Sequence, residues 1–107
     1  MKIIIATTKS WNIDNAHKFA SQNKDRFNTY IITDKSELNY EKLKEISPDY
    51  VFFPHWSWII PQEVFKNFTC VVFHGTDLPF GRGGSPIQNL IERGIHDTKI
   101  SAIEVDE

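Results

Sequence analysis

Residues 49–74 read DYVFFPHWSWIIPQEVFKNFTCVVFH, and this stretch decides the fold. Two short apolar runs, 49–54 (DYVFFP) and 70–74 (CVVFH), flank a segment whose apolar spacing predicts a short helix opened by Pro61. Apolar runs of this kind are typical of strands that are covered on both faces. A strand, a helix and a second strand form a βαβ unit, which predicts parallel strands joined by a right-handed crossover.

The upstream part of the chain continues this alternation. Further strands are predicted at 2–8 (KIIIATT) and 29–33 (TYIIT), and a further helix at 38–46. Between the first two strands, apolar residues recur at the three- and four-residue spacings of a helix that Asn12 or Asp14 can cap. The sequence therefore predicts an α/β fold, with a Rossmann-like, open, mainly parallel sheet and flanking helices.

The end of the chain predicts an unfinished sheet. The segment 99–106 (KISAIEVD) has the composition of a strand, although its direction cannot be inferred. Glu107 then closes the chain without a turn signal or a covering helix. The chain contains no repeat or linker, so we expect one domain, 1–107, that is truncated at its C-terminal side.

Composition and charge limit the classes of function. Twelve Lys and Arg residues stand against fourteen Asp and Glu residues, a formal net charge of −2, so no overall positive field attracts nucleic acid or anionic lipid. Cys70 is the single cysteine and cannot form an internal disulfide. The chain lacks a signal-peptide pattern, and no apolar stretch approaches the roughly 20 residues that span a bilayer. We therefore expect a cytoplasmic protein without a membrane partner.

Two histidines follow predicted strands. In parallel α/β sheets, ligands bind beyond the carboxyl ends of the strands, where the loops separate. His55 and His74 lie in such positions, so each fits either a functional role or a structural, hydrogen-bonded one. His17 falls on a polar helix face and His96 in a turn-like stretch, and we expect both at the surface.

Two loops at the same edge have unusual sequences. The stretch 75–88 (GTDLPFGRGGSPIQ) leads into a helix that Ser85 can cap, and it fits either an anion site or a capped loop without a ligand. The stretch 54–61 (PHWSWIIP) fits either a platform for a flat heterocycle or a hydrophobic lid over the sheet. A third loop, residues 9–12, follows the first strand.

Together these motifs resemble the folate-dependent formyltransferases. In that family a Leu-Pro loop follows the third strand, and a strand ending in Asn-Xaa-His leads into a second Leu-Pro loop. The matching features of this chain, in order, are Ile60-Pro61, His74, Leu78-Pro79, Gly83, Pro86 and Gln88. Val72 departs from the pattern, since it stands where the family has asparagine. The likeness implies that residues 1–107 are an incomplete formyltransferase N-terminal-like domain.

The resemblance implies a transferase that uses 10-formyltetrahydrofolate as its co-substrate and needs no metal. His74 is implied as the catalytic donor to the oxygen that becomes negative when an amine attacks the formyl carbon. The family's aspartate, in a Leu-Asp-Xaa-Gly stretch, is expected just beyond Glu107. The implied cofactor-binding residues are His55, Trp56, Ser57, Trp58, Ile59, Ile60, Arg82 and Gly83. The implied substrate-binding residues are Lys9, Trp11, Thr76 and Asp77.

The acceptor is the remaining question. The stretch 76–86 (TDLPFGRGGSP) resembles the sugar-nucleotide N-formyltransferases more than the methionyl-tRNA formyltransferases. With the mild acidity of the chain, this favours the amine of a nucleotide-linked amino sugar as acceptor and no nucleic-acid partner. Formylation of methionyl-tRNA, a truncated non-catalytic binding domain and a flavodoxin-like binding module stay open as alternatives, and so does a homodimer.

Overall fold

The computed structural model describes residues 1–54, 56–73 and 87–100, with the side chains of all of these except Trp11 and residues 97–100. Strands and helices alternate in the predicted order, with one 3₁₀ helix added. The elements are β1 (Lys2–Ala6), α1 (Ser10–Gln22), β2 (Asn28–Ile32), the 3₁₀ helix (Lys35–Glu37), α2 (Tyr40–Ile46), β3 (Tyr50–Pro54), α3 (Gln62–Asn67), β4 (Cys70–Phe73) and α4 (Ile87–Ile100).

The four strands form one sheet in the order β2-β1-β3-β4, and every neighbouring pair is parallel. The chain passes from β1 to β2 on one side and then returns to place β3 on the other side of β1. The topological switch point therefore lies between β1 and β3. This arrangement confirms the predicted α/β class and the open, parallel, Rossmann-like sheet.

Helices cover both faces of the sheet. Because successive residues of a strand point to opposite faces, Ile3 and Ile5 pack in one apolar cluster with α1 and α4. Ile4 and Ala6 pack in a second cluster with α2 and α3. Burial on both sides explains why the strands read as continuous apolar runs. Within the described ranges, no helix combines the length and the apolar character that crossing a membrane requires.

Helix α1 begins earlier than the sequence predicted. It starts at Ser10, and Lys9 is an extended N-cap residue that makes no side-chain capping bond. The prediction that Asn12 or Asp14 caps this helix is therefore wrong. Asn12 lies in the first turn and is fully buried, because it continues the face that Ala16 buries one turn later.

The predicted helix 38–46 is interrupted near its start. Leu38 is buried and ends the 3₁₀ helix, and the Asn39 side chain caps α2 by accepting a backbone hydrogen bond of 2.9 Å. Ser47 adopts the left-handed conformation, with φ of 55°, and ends α2 directly before Pro48. A side-chain cap at Asn39 requires an extended backbone, which is why one continuous helix does not form.

Helix α4 extends into the segment that was predicted as the last strand. Lys99 and Ile100 belong to α4, so the predicted strand 99–106 is wrong at its first two residues. The remainder of that segment lies outside the described residues. Leu90 and Ile91 bury one side of α4 against the sheet. Because starting a helix costs more free energy than lengthening it, an anchored helix readily continues through the polar residues that follow.

Candidate functional site

The carboxyl edge of the sheet brings the predicted loops together. Pro54, the last residue of β3, pairs with Phe73, the last residue of β4, so the segments that follow them start side by side. Ile5 of β1 pairs with Phe52 of β3, which places the loop after β1 at the same edge. Since parallel α/β sheets bind ligands at the switch point of this edge, it is the candidate site.

A hydrogen bond crosses the switch point. Thr8 Oγ1 and Ser57 Oγ lie 2.8 Å apart, and either hydroxyl can donate. Thr8 was predicted to end the first strand, but β1 ends at Ala6, so the bond joins the segment after β1 to the predicted ligand-binding segment after β3. Sequence reasoning did not predict this contact, because its two partners come from separate strands.

The segment after β3 has an inner and an outer part. Trp56 and Ile60 are half-buried and pack against the apolar cluster beneath α2 and α3. Trp58 is 38% exposed and Ile59 is 88% exposed. The rings of Trp56 and Trp58 meet edge to face with centroids 5.3 Å apart, so the inner ring supports the outer one. A lid over the sheet would bury the outer side chains, so their exposure favours a ligand platform.

Three side chains at this edge carry buried polar atoms that have no hydrogen-bond partner within residues 1–54, 56–73 and 87–100. These atoms are Thr7 Oγ1, both amide atoms of Asn12 and Trp56 Nε1. Leaving such a group unpaired costs on the order of 1–3 kcal/mol. Groups of this kind mark places where water, a ligand or another segment completes the hydrogen bonds.

Lys35 reaches the site from the segment after β2. Its ammonium nitrogen lies 5.8 Å from the centroid of the Trp58 ring. The neighbouring carboxylate of Asp34 accepts hydrogen bonds from the hydroxyl and the backbone N–H of Ser36, and these bonds hold the pKa of Asp34 below its usual value. Sequence reasoning missed Lys35, because only the order of the strands brings it to the segment after β3.

The predicted site residues are only partly described. His55, His74, Thr76, Asp77, Arg82, Gly83 and the side chain of Trp11 lie outside the described residues. Lys9 is exposed at the start of α1, and the side chains of His17 and His96 are exposed, as predicted. No cluster of three or more metal-ligating side chains occurs in the described part of the chain.

Val72 occupies the position where the resembling family has asparagine. Its side chain is half-buried and packs against the cluster beneath α2 and α3. A valine side chain has no hydrogen-bond donor, so the side chain at this position supplies no polar group to the site.

Comparisons with known proteins identify relatives. A scan against protein-family models finds no match. The methionyl-tRNA formyltransferase of a Nitratiruptor species is 36% identical over 73 residues, which cover 68% of this chain and 24% of that protein. The methionyl-tRNA formyltransferase of Wolbachia pipientis subsp. Culex pipiens is 32% identical over 75 residues, 68% of this chain and 25% of that protein. The solved structure of the methionyl-tRNA formyltransferase from Clostridium thermocellum matches with a TM-score of 0.70 and 72% identity, over 88% of this chain and 41% of that chain.

These names correct the predicted acceptor. The relatives are named for methionyl-tRNA, so the expectation of an amino-sugar nucleotide as acceptor, without a nucleic-acid partner, is wrong. That expectation used the net charge of −2, which is a sum over the 107 residues of this chain and does not describe the charge at any one binding site. The chain spans about a quarter of the length of the curated relatives it matches. With a shared fold and this similarity in sequence, the chain belongs to the formyltransferase family.

Proposed function

We propose that the protein to which this chain contributes transfers a formyl group from 10-formyltetrahydrofolate to the amino group of methionyl-tRNA. The observation that carries the proposal is the 72% identity with the methionyl-tRNA formyltransferase from Clostridium thermocellum over 88% of this chain. The names of the curated relatives support the same acceptor. The hydrogen bond between Thr8 and Ser57 at the switch point supports a reaction site at the carboxyl edge of the sheet.

The segment after β3 has the properties that a folate requires. A pterin is flat and has a hydrogen-bonding edge, and Trp58 and Ile59 offer exposed apolar surface for it. Trp56 Nε1 is a buried donor without a partner among the described residues. The proposed folate-binding residues remain His55, Trp56, Ser57, Trp58, Ile59, Ile60, Arg82 and Gly83.

The proposed roles follow from where charge develops in the reaction. Bound 10-formyltetrahydrofolate supplies the formyl carbon on nitrogen N10. The amine nitrogen of the acceptor bonds to that carbon, the bond from the carbon to N10 breaks, and one proton passes from the amine to N10. His74 donates a hydrogen bond to the formyl oxygen as that oxygen becomes negative. The proposed residues on the acceptor side are Lys9, Trp11, Thr76 and Asp77.

The test is a pair of histidine variants in the intact protein, assayed with 10-formyltetrahydrofolate and methionyl-tRNA. His74→Ala should lower kcat by on the order of 100- to 1,000-fold, which is the effect of removing one donor to a developing oxyanion. His17→Ala is the matched control, because its side chain is exposed on α1 and should leave turnover unchanged. Circular dichroism checks that both variants keep the fold.

Two results would count against the proposal. Near-normal turnover by His74→Ala would remove the histidine from its proposed role. Binding of folate analogues by the intact protein without any formyl transfer to methionyl-tRNA would favour the alternative of a non-catalytic binding domain.

A further inference from the structure

We propose that Lys35 binds the carboxylates of the glutamyl tail of the folate co-substrate. The inference rests on the proposed function, since it extends the folate site from the segment after β3 to the segment after β2. Among the residues implied by family resemblance, none came from the segment after β2. The observation behind the proposal is the position of the Lys35 ammonium above the Trp58 ring, 5.8 Å from its centroid.

The backbone around Lys35 is held in place on both sides. Asp34 accepts a hydrogen bond of 2.9 Å from the backbone N–H of Ser36, and the N–H of Glu37 donates to the Asp34 carbonyl at 3.0 Å. On the other side, the N–H of Leu38 donates to the Lys35 carbonyl at 3.1 Å, and the Leu38 side chain is buried in the core. The lysine therefore extends from a fixed turn, so it reaches the same region without ordering a loop.

The charge of Lys35 is available to an anion. Its side chain is exposed, and within the described ranges the only ion pair joins Arg26 to Glu92. The neighbouring Asp34 carboxylate accepts two hydrogen bonds from Ser36 and attracts Lys35 without forming an ion pair with it. The ammonium has three N–H donors and only one side of it faces the ring, so it can bind a carboxylate without leaving the ring.

The pairing of a ring with a cation points to the chemistry of the ligand. A folate joins a flat pterin to one or more glutamates, so it carries an aromatic part and a negatively charged part. The exposed apolar surface of Trp58 and Ile59 matches the first part, and the charge of Lys35 matches the second. A lysine recognises a carboxylate as a flexible point charge, so it tolerates tails of different length.

Isothermal titration calorimetry of the intact protein with two stable analogues tests the proposal. The first is 10-formyl-5,8-dideazafolate, and the second is the corresponding dideazapteroic acid amide, in which a neutral amide replaces the glutamate. Lys35→Ala should weaken binding of the first by about two- to five-fold, the range for an exposed ion pair, and leave binding of the second unchanged. Lys35→Arg should retain the affinity, and added salt should remove the difference between wild type and Lys35→Ala.

Lys44→Ala is the matched control, because Lys44 also lies 5.8 Å above an aromatic ring, that of Tyr40, but on α2. If Lys35→Ala weakens both analogues equally, Lys35 only supports Trp58, and the proposal is overturned. An unchanged affinity for both, or a loss seen only in the KM for methionyl-tRNA, overturns it as well. If neither analogue binds the wild-type protein, the proposed folate site itself fails, and the inference fails with it.

Discussion

Replacing Gly94 with alanine tests how closely α4 packs on the sheet. Gly94 lies inside α4, where alanine normally stabilises a helix by roughly 0.5–1 kcal/mol relative to glycine. A Cβ atom at this position would lie 2.9 Å from Phe52 Cε1 and 3.2 Å from Val71 Cγ1. Both neighbours are 0% exposed, so any extra room must come from the packed core.

The ring of Phe52 has little freedom to move aside. It stacks with Tyr50 at a centroid distance of 5.6 Å and with Phe73 at 6.3 Å. Overpacking a core costs about 1–3 kcal/mol, and a contact below 3.0 Å against a confined ring places Gly94→Ala in the upper half of that range. After the gain in helix propensity is subtracted, we expect a net loss of about 1–2.5 kcal/mol in the free energy of unfolding.

Urea unfolding followed by far-UV circular dichroism measures this loss as a lower midpoint at an unchanged m value. The matched control is Gly94→Ala in a Phe52→Leu background, where the smaller side chain leaves room and the alanine should cost less. A single variant as stable as the wild type would refute the close packing of α4. An equal cost in both backgrounds would show that Phe52 is not the obstacle.

Two further predictions concern a buried thiol and a surface ion pair. Burial raises the pKa of Cys70 from 9.0 to about 12. The thiol of the folded chain should therefore react with a thiol reagent only as fast as the chain opens. Rapid reaction of the native protein would contradict that burial. Because the unfolded thiol loses its proton near pH 9.0 and the folded one near pH 12, the free energy of unfolding should fall as pH rises above 9.0, and Cys70→Ala should reduce that fall. Glu92→Gln removes the ion pair between Glu92 and Arg26, whose side chains are 42% and 45% exposed respectively. This change should lower the free energy of unfolding by at most about 1 kcal/mol. Arg26 keeps its contact with the Phe27 ring in this variant, so a larger loss, or one that persists in high salt, would mean that Glu92 has another structural role.

The strands were predictable because burial on both faces leaves a local sequence pattern. The predicted runs 2–8 and 49–54 each contain the observed strand with one or two extra residues at the ends. The helix starts were less predictable, since capping is a competition between nearby residues. Asn39 caps α2 through its side chain, whereas Lys9 precedes α1 without any side-chain cap. A search for capping side chains therefore placed the start of α1 too late.

The candidate site could be predicted only where its features are local in the sequence. The two tryptophans of the stretch 54–61 made it recognisable in the sequence, and two of its side chains, Trp58 and Ile59, are exposed at the carboxyl edge. The contact of Lys35 with Trp58 and that of Thr8 with Ser57 depend on the strand order β2-β1-β3-β4. Local periodicity does not contain that order. The acceptor was mispredicted for a related reason, since net charge is a property of the whole surface and not of a binding site.

Asn12 and Thr7 are buried polar residues at the carboxyl edge of the sheet, and Asn12 is also where the start of α1 was mispredicted. Both side chains are fully buried, and their polar atoms lack partners among the described residues. A polar group that stays unpaired costs about 1–3 kcal/mol, whereas an apolar side chain in the same space would avoid that cost. Thr29, at the start of β2, has a similar unpaired hydroxyl, but Thr7, Asn12 and Trp56 all lie at the carboxyl edge. Buried polar side chains without a described partner are expected at an edge where ligands bind, because a site keeps polar groups that a core would replace with apolar ones. The polar amide of Asn12 misled the prediction of the helix start, and the burial of that amide without a described partner supports this edge as the functional one.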